Sequence, residues 1–181
     1  MKINTIIIDD FLDNPDIVRN SVLEIDISKK GMYPGYRSDR ADEDYADHIQ
    51  QKIESILNKR ILSWEQDSLQ FQLCLEDETT WLHCDETDWA GILYLTPNAP
   101  VAAGTGIFRH IPTQTYTGPN TDINAKDETQ WELITTIGNV YNRLVLYNGK
   151  MFHRSLISGF GASKETGRLT QVFFFNTSSD K

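Results

Sequence analysis

Apolar and polar positions along the chain follow two kinds of pattern. In "LDNPDIVRNSVLEID", Asn14 and Pro15 supply an N-cap and a first helical residue with a pre-set φ, and Ile17, Val18, Ser21 and Val22 then share one face. That spacing predicts a short amphipathic helix. Between Asp42 and Ile61, "DEDYADHIQQKIESILNKRI" places Tyr45, Ile49, Ile53, Ile56 and Leu57 at helical intervals, with acids in the first turn and Lys59 and Arg60 in the last. From Leu69 onward the apolar runs shorten to strand length: "LQFQLCLE", "AGILYLT", "GIFRH", "RLVLYN" and "RLTQVFFFN", punctuated by Gly, Pro, Asn and Asp. Short strands without helices between them predict a sandwich or barrel. Residues 112–129, "PTQTYTGPNTDINAKDET", are polar, turn-rich and long for a simple connector, so a functional loop is expected there.

Length and charge narrow the picture. A chain of 181 residues suits one domain and is short for two. The expected organisation is a single domain over 1–181, with helical support over 1–65, a β core over 66–181 and a long loop at about 109–130. A composition of 39% hydrophobic and 24% charged residues is that of a folded globular protein. The balance of 17 basic against 26 acidic side chains, −9 overall, argues against duplex nucleic acid as a partner, which needs clustered Lys and Arg. "MKINTIIIDDF" offers three isoleucines before two aspartates and no signal-peptide core, and no segment approaches the roughly 20 apolar residues of a membrane span. A cytoplasmic protein is therefore expected, with Cys74 and Cys84 as reduced thiols. The G-x-S-x-G and G-x-x-x-x-G-K patterns are absent.

The candidate chemistry begins in "WLHCDETDWAGILYLTP". Residues i and i+2 of an extended segment project to one side, so His83 and Asp85 aim an imidazole and a carboxylate at one point while Cys84 looks away. Those are two of the three donors of a 2-His-1-carboxylate site. Of the other histidines, His48 falls inside the second helix off its main stripe, and His110 ends "GIFRH" and enters the polar loop. His153 follows a strand and a turn and leads directly into the last strand, which favours it as the third donor. That last strand opens with Arg168. Alternation sets Arg168, Thr170, Val172 and Phe174 on one face and Leu169, Gln171, Phe173 and Phe175 on the other, both largely apolar. A permanent charge in such a strand needs an anionic partner, and a guanidinium beside Thr170 is shaped to clamp a carboxylate.

Together, the H-x-D at 83–85, the distal His153 and Arg168 with Thr170 on the final strand resemble the Fe(II)- and 2-oxoglutarate-dependent oxygenases, over about Phe71 to Asn176. "WAGILYLTPNAP" followed by "GTGIF" looks like the prolyl-hydroxylase-type branch, and oxygenase-like proteins of marine phages and bacteria look closer still, so a phage-encoded origin is one expectation. The resemblance implies a double-stranded β-helix (a jelly-roll, cupin-like barrel) with N-terminal helices packed on its outer face. It also implies that His83, Asp85 and His153 bind iron, that Arg168 holds the distal carboxylate of 2-oxoglutarate, that Thr170 assists, and that Tyr94 donates its phenol to the same carboxylate. The prolyl-hydroxylase branch often uses lysine as this anchor, so Arg168 departs from it while agreeing with other branches. The implied reaction is hydroxylation of a peptidyl side chain or small molecule, with O2 consumed, succinate and CO2 released, and ascorbate as a candidate reductant. Asp85 stands where halogenases of the superfamily carry a small residue. Two other readings stay open: a zinc-dependent hydrolase on the same His-Asp-His set, and an inactive jelly-roll binding or structural protein. Arg109, His110, Tyr116 and Trp131 are candidates for lining a substrate pocket.

Overall fold

The computed structural model describes residues 4–118, 125 and 127–179. Along the chain run β1 (Thr5–Ile8), α1 (Pro15–Glu24), β2 (Ile27–Lys29), β3 (Tyr36–Arg40), α2 (Glu43–Leu57), β4 (Ile61–Trp64), β5 (Gln70–Cys74), β6 (Trp89–Tyr94), β7 (Thr105–His110), β8 (Trp131–Ile137), β9 (Leu144–Asn148), β10 (His153–Ser155) and β11 (Arg168–Thr177). The larger sheet has the order β1-β9-β6-β11-β5-β3-β2, with β4 also pairing β11, and the smaller has the order β10-β7-β8. Their neighbours pair antiparallel.

Strand alternation builds three layers. Ala90, Ile92 and Tyr94 of β6 and Val145 and Tyr147 of β9 meet Ile107 and Ile137 of the smaller sheet. The intervening residues Leu93, Leu144 and Leu146, with Leu169, Phe173 and Phe175 of β11, face the other way and pack on Val22 of α1 and Ile49 and Ile53 of α2. Helices, large sheet and small sheet thus stack in that order, with the helices on the outer face of the large sheet as expected. The five strand-length runs of the sequence correspond to β5, β6, β7, β9 and β11. No helix of the described residues is long and apolar enough to cross a membrane.

Several expectations need correction. Ile17 is 66% exposed. The buried ridge of α1 runs through Val18 and Val22, one turn apart, while Ile17 and Ser21 form the neighbouring ridge turned to solvent. Pro15 opens α1 as expected, but the Asn14 side chain makes no capping bond. In α2, Asp42 accepts a hydrogen bond from the Tyr45 N–H at 3.0 Å. Lys59 and Arg60 lie beyond its last turn, because Asn58 adopts a left-handed cap at φ 49° and ends the helix. The region 1–65 holds β1 to β4 as well as the helices. These strands are three to five residues long, and their pairing partners rather than their own alternation define them. Of the expected loop, residues 119–124 and 126 lie outside the described residues; around them Thr115 bridges His110 and Thr117 bridges Met151.

Gly104 controls how closely the smaller sheet closes on itself. A Cβ there would stand 1.8 Å from the Ile137 carbonyl oxygen, so no side chain fits. The adjoining Thr105 is thereby fixed where it lines the cavity described below, and the Ala103 carbonyl where it accepts a hydrogen bond from Arg168.

The layering makes a direct prediction. Ile53→Ala, at a site with 0% exposure, should lower the unfolding free energy by about 2–5 kcal/mol in denaturant titration. Ile17→Ser should change it by no more than about 0.5 kcal/mol.

Candidate metal and co-substrate site

The stretch between β5 and β6 carries His83 and Asp85, and backbone pairing holds it in place. The His83 N–H donates to the His153 carbonyl at 3.1 Å, the His153 N–H donates back at 2.8 Å, and the Asp85 N–H donates to the Gly149 carbonyl at 2.7 Å. Two residues 70 positions apart in sequence thus become a directly opposed antiparallel pair. The imidazole rings lie with centroids 4.4 Å apart. One donor atom from each of His83, Asp85 and His153 falls within 4.8 Å of the others.

Hydrogen bonding fixes what these atoms can do. His83 Nδ1 lies 3.0 Å from the Trp81 carbonyl and His153 Nδ1 2.8 Å from the Met151 carbonyl. A carbonyl only accepts, so each Nδ1 carries a hydrogen and Nε2 is the ring atom left to face a metal. His153 Nε2 stands 3.5 Å from Asp85 Oδ2. Both are acceptors, which is why Oδ2 is buried without a hydrogen-bond partner. The separation satisfies an ion-pair distance, but a neutral ring with its proton on Nδ1 cannot pair there. Burial, and then the charge of His83, press the His153 pKa well below the usual histidine range. Burial raises the Asp85 pKa, while His83 and Arg37 pull it down. Three lone-pair donors converging without a proton between them fit a divalent cation.

Arg168 opens β11 at the same cavity and is 3% exposed. Its Nε donates to the Ala103 carbonyl at 3.4 Å, its Nη2 is buried without a partner, and its guanidinium lies 5.7 Å from the Tyr94 ring centroid. No carboxylate pairs with it among the described residues. An unbalanced charge with an orphaned donor, facing a cavity of about 540 Å³, fits an incoming carboxylate. Ile92, Val172 and Phe174 give that cavity apolar walls.

The remaining candidates are placed as follows. The Tyr94 phenol meets the Thr105 hydroxyl at 2.7 Å, and Thr105 rather than Tyr94 lines the cavity. The Thr170 hydroxyl donates to the Gln72 carbonyl at 3.5 Å, away from the lining. Cys84 is 3% exposed; its thiol donates to the Gly118 carbonyl at 2.9 Å and it packs with Leu82, Phe108, Trp131 and Phe152. The alternation that aims residues 83 and 85 at the cavity drives residue 84 into the core. His48 is exposed on α2. Arg109 pairs with Glu132, His110 stacks on Trp131 at 4.7 Å, and Tyr116 lines a separate cavity with Ile134 and Met151. Arg37, Gln72 and Tyr147 at the main cavity escaped sequence reasoning; the only signal was a charged residue inside a short polar strand.

Residues 115–175, which include His153 and Arg168 but not the H-x-D, match a family of unknown function (DUF6445). No curated protein matches the chain. Among solved structures, HygX from Streptomyces hygroscopicus with nickel, 2-oxoglutarate and hygromycin B bound superposes with a TM-score of 0.61 at 11% identity, over 95% of this chain and 82% of HygX. A prolyl hydroxylase from Trichoplax adhaerens, in complex with a peptide fragment of the hypoxia-inducible-factor oxygen degradation domain, gives 0.55 at 12% identity over 95% and 83%. A Pseudomonas putida prolyl-4-hydroxylase gives 0.51 at 15% identity over 97% and 94%. The chain therefore has the jelly-roll fold of the Fe(II)/2-oxoglutarate-dependent oxygenases, prolyl hydroxylases among them.

Without metal, these donors oppose folding in a pH-dependent way. Below about pH 6.5 the unfolded chain protonates the histidine that the fold keeps neutral, so stability of the metal-free protein should fall as pH drops through that value. Asp85, with its pKa raised, acts in the opposite sense: its ionisation in a buried site costs stability as pH rises above about 4. Asp85→Asn should therefore stabilise the metal-free protein at pH 7 by on the order of 1 kcal/mol. That gain should vanish toward pH 4, as read from melting temperature against pH.

Proposed function

We propose that this protein is a non-haem Fe(II)- and 2-oxoglutarate-dependent dioxygenase that hydroxylates a peptidyl side chain or a small molecule. One observation carries the reading. Three converging lone-pair donors and an unpaired buried arginine share one cavity, and the fold is one in which solved relatives bind iron or nickel and 2-oxoglutarate.

In this mechanism His83 and His153 offer Nε2 to the metal, their Nδ1 hydrogens anchored on Trp81 and Met151 so that neither ring can turn. Asp85 adds a carboxylate that offsets part of the metal charge. Arg168 would receive the far carboxylate of 2-oxoglutarate on its free Nη2, with Thr105 lining the same cavity. Ile92, Val172 and Phe174 keep water from the reacting region. Bound Fe(II) and 2-oxoglutarate would supply the oxidising power, with O2 consumed, succinate and CO2 released and a substrate C–H converted to C–OH. Residues 1–181 act on this reading as one oxygenase unit, α1 and α2 bracing the sheet from outside. A zinc hydrolase would use the same three donors but leaves the buried, unpaired Arg168 without a role.

Anaerobic addition of Fe(II) and 2-oxoglutarate to the purified protein should produce a weak visible charge-transfer band. His153→Ala should abolish it, and Arg168→Ala should weaken the apparent 2-oxoglutarate affinity at least about tenfold, since truncation of a buried charged partner costs about 2–5 kcal/mol. Iron binding with no band would overturn the 2-oxoglutarate assignment.

A further inference from the structure

Arg37 is a charged group of the cavity that touches neither the metal donors nor the proposed 2-oxoglutarate anchor and acts on them only through its field at Asp85. 2-Oxoglutarate carries two carboxylates; on the oxygenase reading one lies at the metal donors and the other at Arg168. A second guanidinium in the same cavity is left over. Arg37 stands on β3 in register with Gln72 of β5, and Gln72 is in register with Thr170 of β11. Its backbone is thus two strand spacings, about 10 Å, across the sheet from β11.

Arg37 is 6% exposed and rigidly oriented. Its Nε donates to Gln72 Oε1 at 2.9 Å, and Gln72 Nε2 in turn donates to the Pro34 carbonyl at 2.8 Å. Its guanidinium lies 3.9 Å from the Tyr33 ring centroid. None of these contacts neutralises the charge. The carboxylate that faces it, Asp67, is 3.9 Å from Nη1, beyond hydrogen-bond reach, and 56% exposed, so solvent screens the pair. Burial accordingly pulls the Arg37 pKa down, with Asp67 and, more weakly, Asp85 among the groups that restore only part of it. Arg154, the other arginine on the cavity besides Arg168, is already engaged by Glu128, with Nη2 3.0 Å from Oε2. Glu65, Asp67 and Glu86 also face the cavity and repel an anion seated anywhere but on an arginine.

A stacked, pre-oriented fork with no close counter-ion suits a planar two-oxygen anion. We infer that Arg37 is a specificity-determining residue that binds a carboxylate of the primary substrate, so that the molecule oxidised carries a free carboxylate within reach of His83, Asp85 and His153. The inference rests on the oxygenase reading for the assignment of Arg168. A free organic or amino acid and an acidic peptide side chain present the same group.

The test separates the two assignments. The charge-transfer titration reports 2-oxoglutarate binding: Arg37→Gln should shift its apparent affinity less than twofold, against tenfold or more for Arg168→Ala. Substrate recognition is read by isothermal titration calorimetry on metal-loaded and on metal-free protein, using matched pairs. These are amino acids and small aliphatic acids against their primary amides, and short peptides containing Asp or Glu against the same peptides with Asn or Gln. At least one acid should bind tenfold or more tighter than its amide, and Arg37→Gln should erase that preference. Asp67→Asn, an exposed change the fold tolerates, should tighten acid binding several-fold by removing a competing carboxylate. Which series responds identifies a free acid or a peptide. The inference is overturned if no acid outbinds its amide, if Asp67→Asn leaves acid binding unchanged or weaker, or if Arg37→Gln weakens 2-oxoglutarate as much as Arg168→Ala does. Failure of the wild-type protein to bind 2-oxoglutarate would sink the oxygenase reading instead, and the acid–amide comparison on metal-free protein would still decide the role of Arg37.

Discussion

The pair of reciprocal backbone hydrogen bonds between His83 and His153 is the constraint on which the site depends. Side chains of directly opposed antiparallel residues project to the same side, so the pairing alone puts both imidazoles on one face. Asp85 joins them because it is two residues further along the same extended segment, and its N–H is tied to Gly149 in the turn between β9 and β10. The rest of the fold serves this register. β10 is held by β7, β9 by β6, and the H-x-D segment leads directly into β6, so both sheets reach the metal donors through backbone ladders rather than flexible side chains.

That arrangement is built against local stability. His83, His153, Asp85, Arg37 and Arg168 in one cavity each forgo interactions with water. Their cost is spread over a fold whose stabilising contacts lie elsewhere: on the far face of the large sheet, where Phe173, Phe175, Leu146 and Ile53 pack in full burial. The two faces of β11 carry out different tasks. Its odd-numbered residues from Leu169 to Phe175 turn toward the core beneath the helices, and its even-numbered residues Arg168, Val172 and Phe174 toward the cavity.

How much of this is legible in sequence follows from how each signal arises. β5, β6, β7, β9 and β11 are apolar runs because they are buried, and α2 is legible because its stripe and its cap coincide. β3 and β4 are defined by partners distant in sequence, and a three-residue strand such as β2, "ISK", has no period to read. His83, Asp85, His153 and Arg168 were legible because ionisable groups beside apolar runs are conspicuous. Thr170 and Tyr94 stand beside Arg168 in strand arithmetic, yet Thr170 turns to the Gln72 carbonyl and Tyr94 to Thr105. Arg37 was hidden by its surroundings: "YRSDR" reads as a solvated edge, and only β5 and the Tyr33 ring close over it.

Charge distribution then decides where selectivity resides. A chain of net charge −9 repels small anions at long range, and Glu65, Asp67 and Glu86 face its cavity besides Asp85. Any anionic ligand must therefore draw its affinity from contact with a guanidinium, at a separation where the lower dielectric of the cavity amplifies attraction. The two arginines present that contact differently. Arg168 is enclosed by the Ala103 carbonyl and the Tyr94 ring and offers one free donor edge, whereas Arg37 is braced by Gln72 and stacked on an aromatic face, with solvent within reach through Asp67. An enclosed anchor suits an invariant co-substrate that must be held the same way in each turnover. A braced anchor nearer solvent suits the partner that changes places with product, so on the proposed reading the separation of the two cations along the sheet would give each anion its own station.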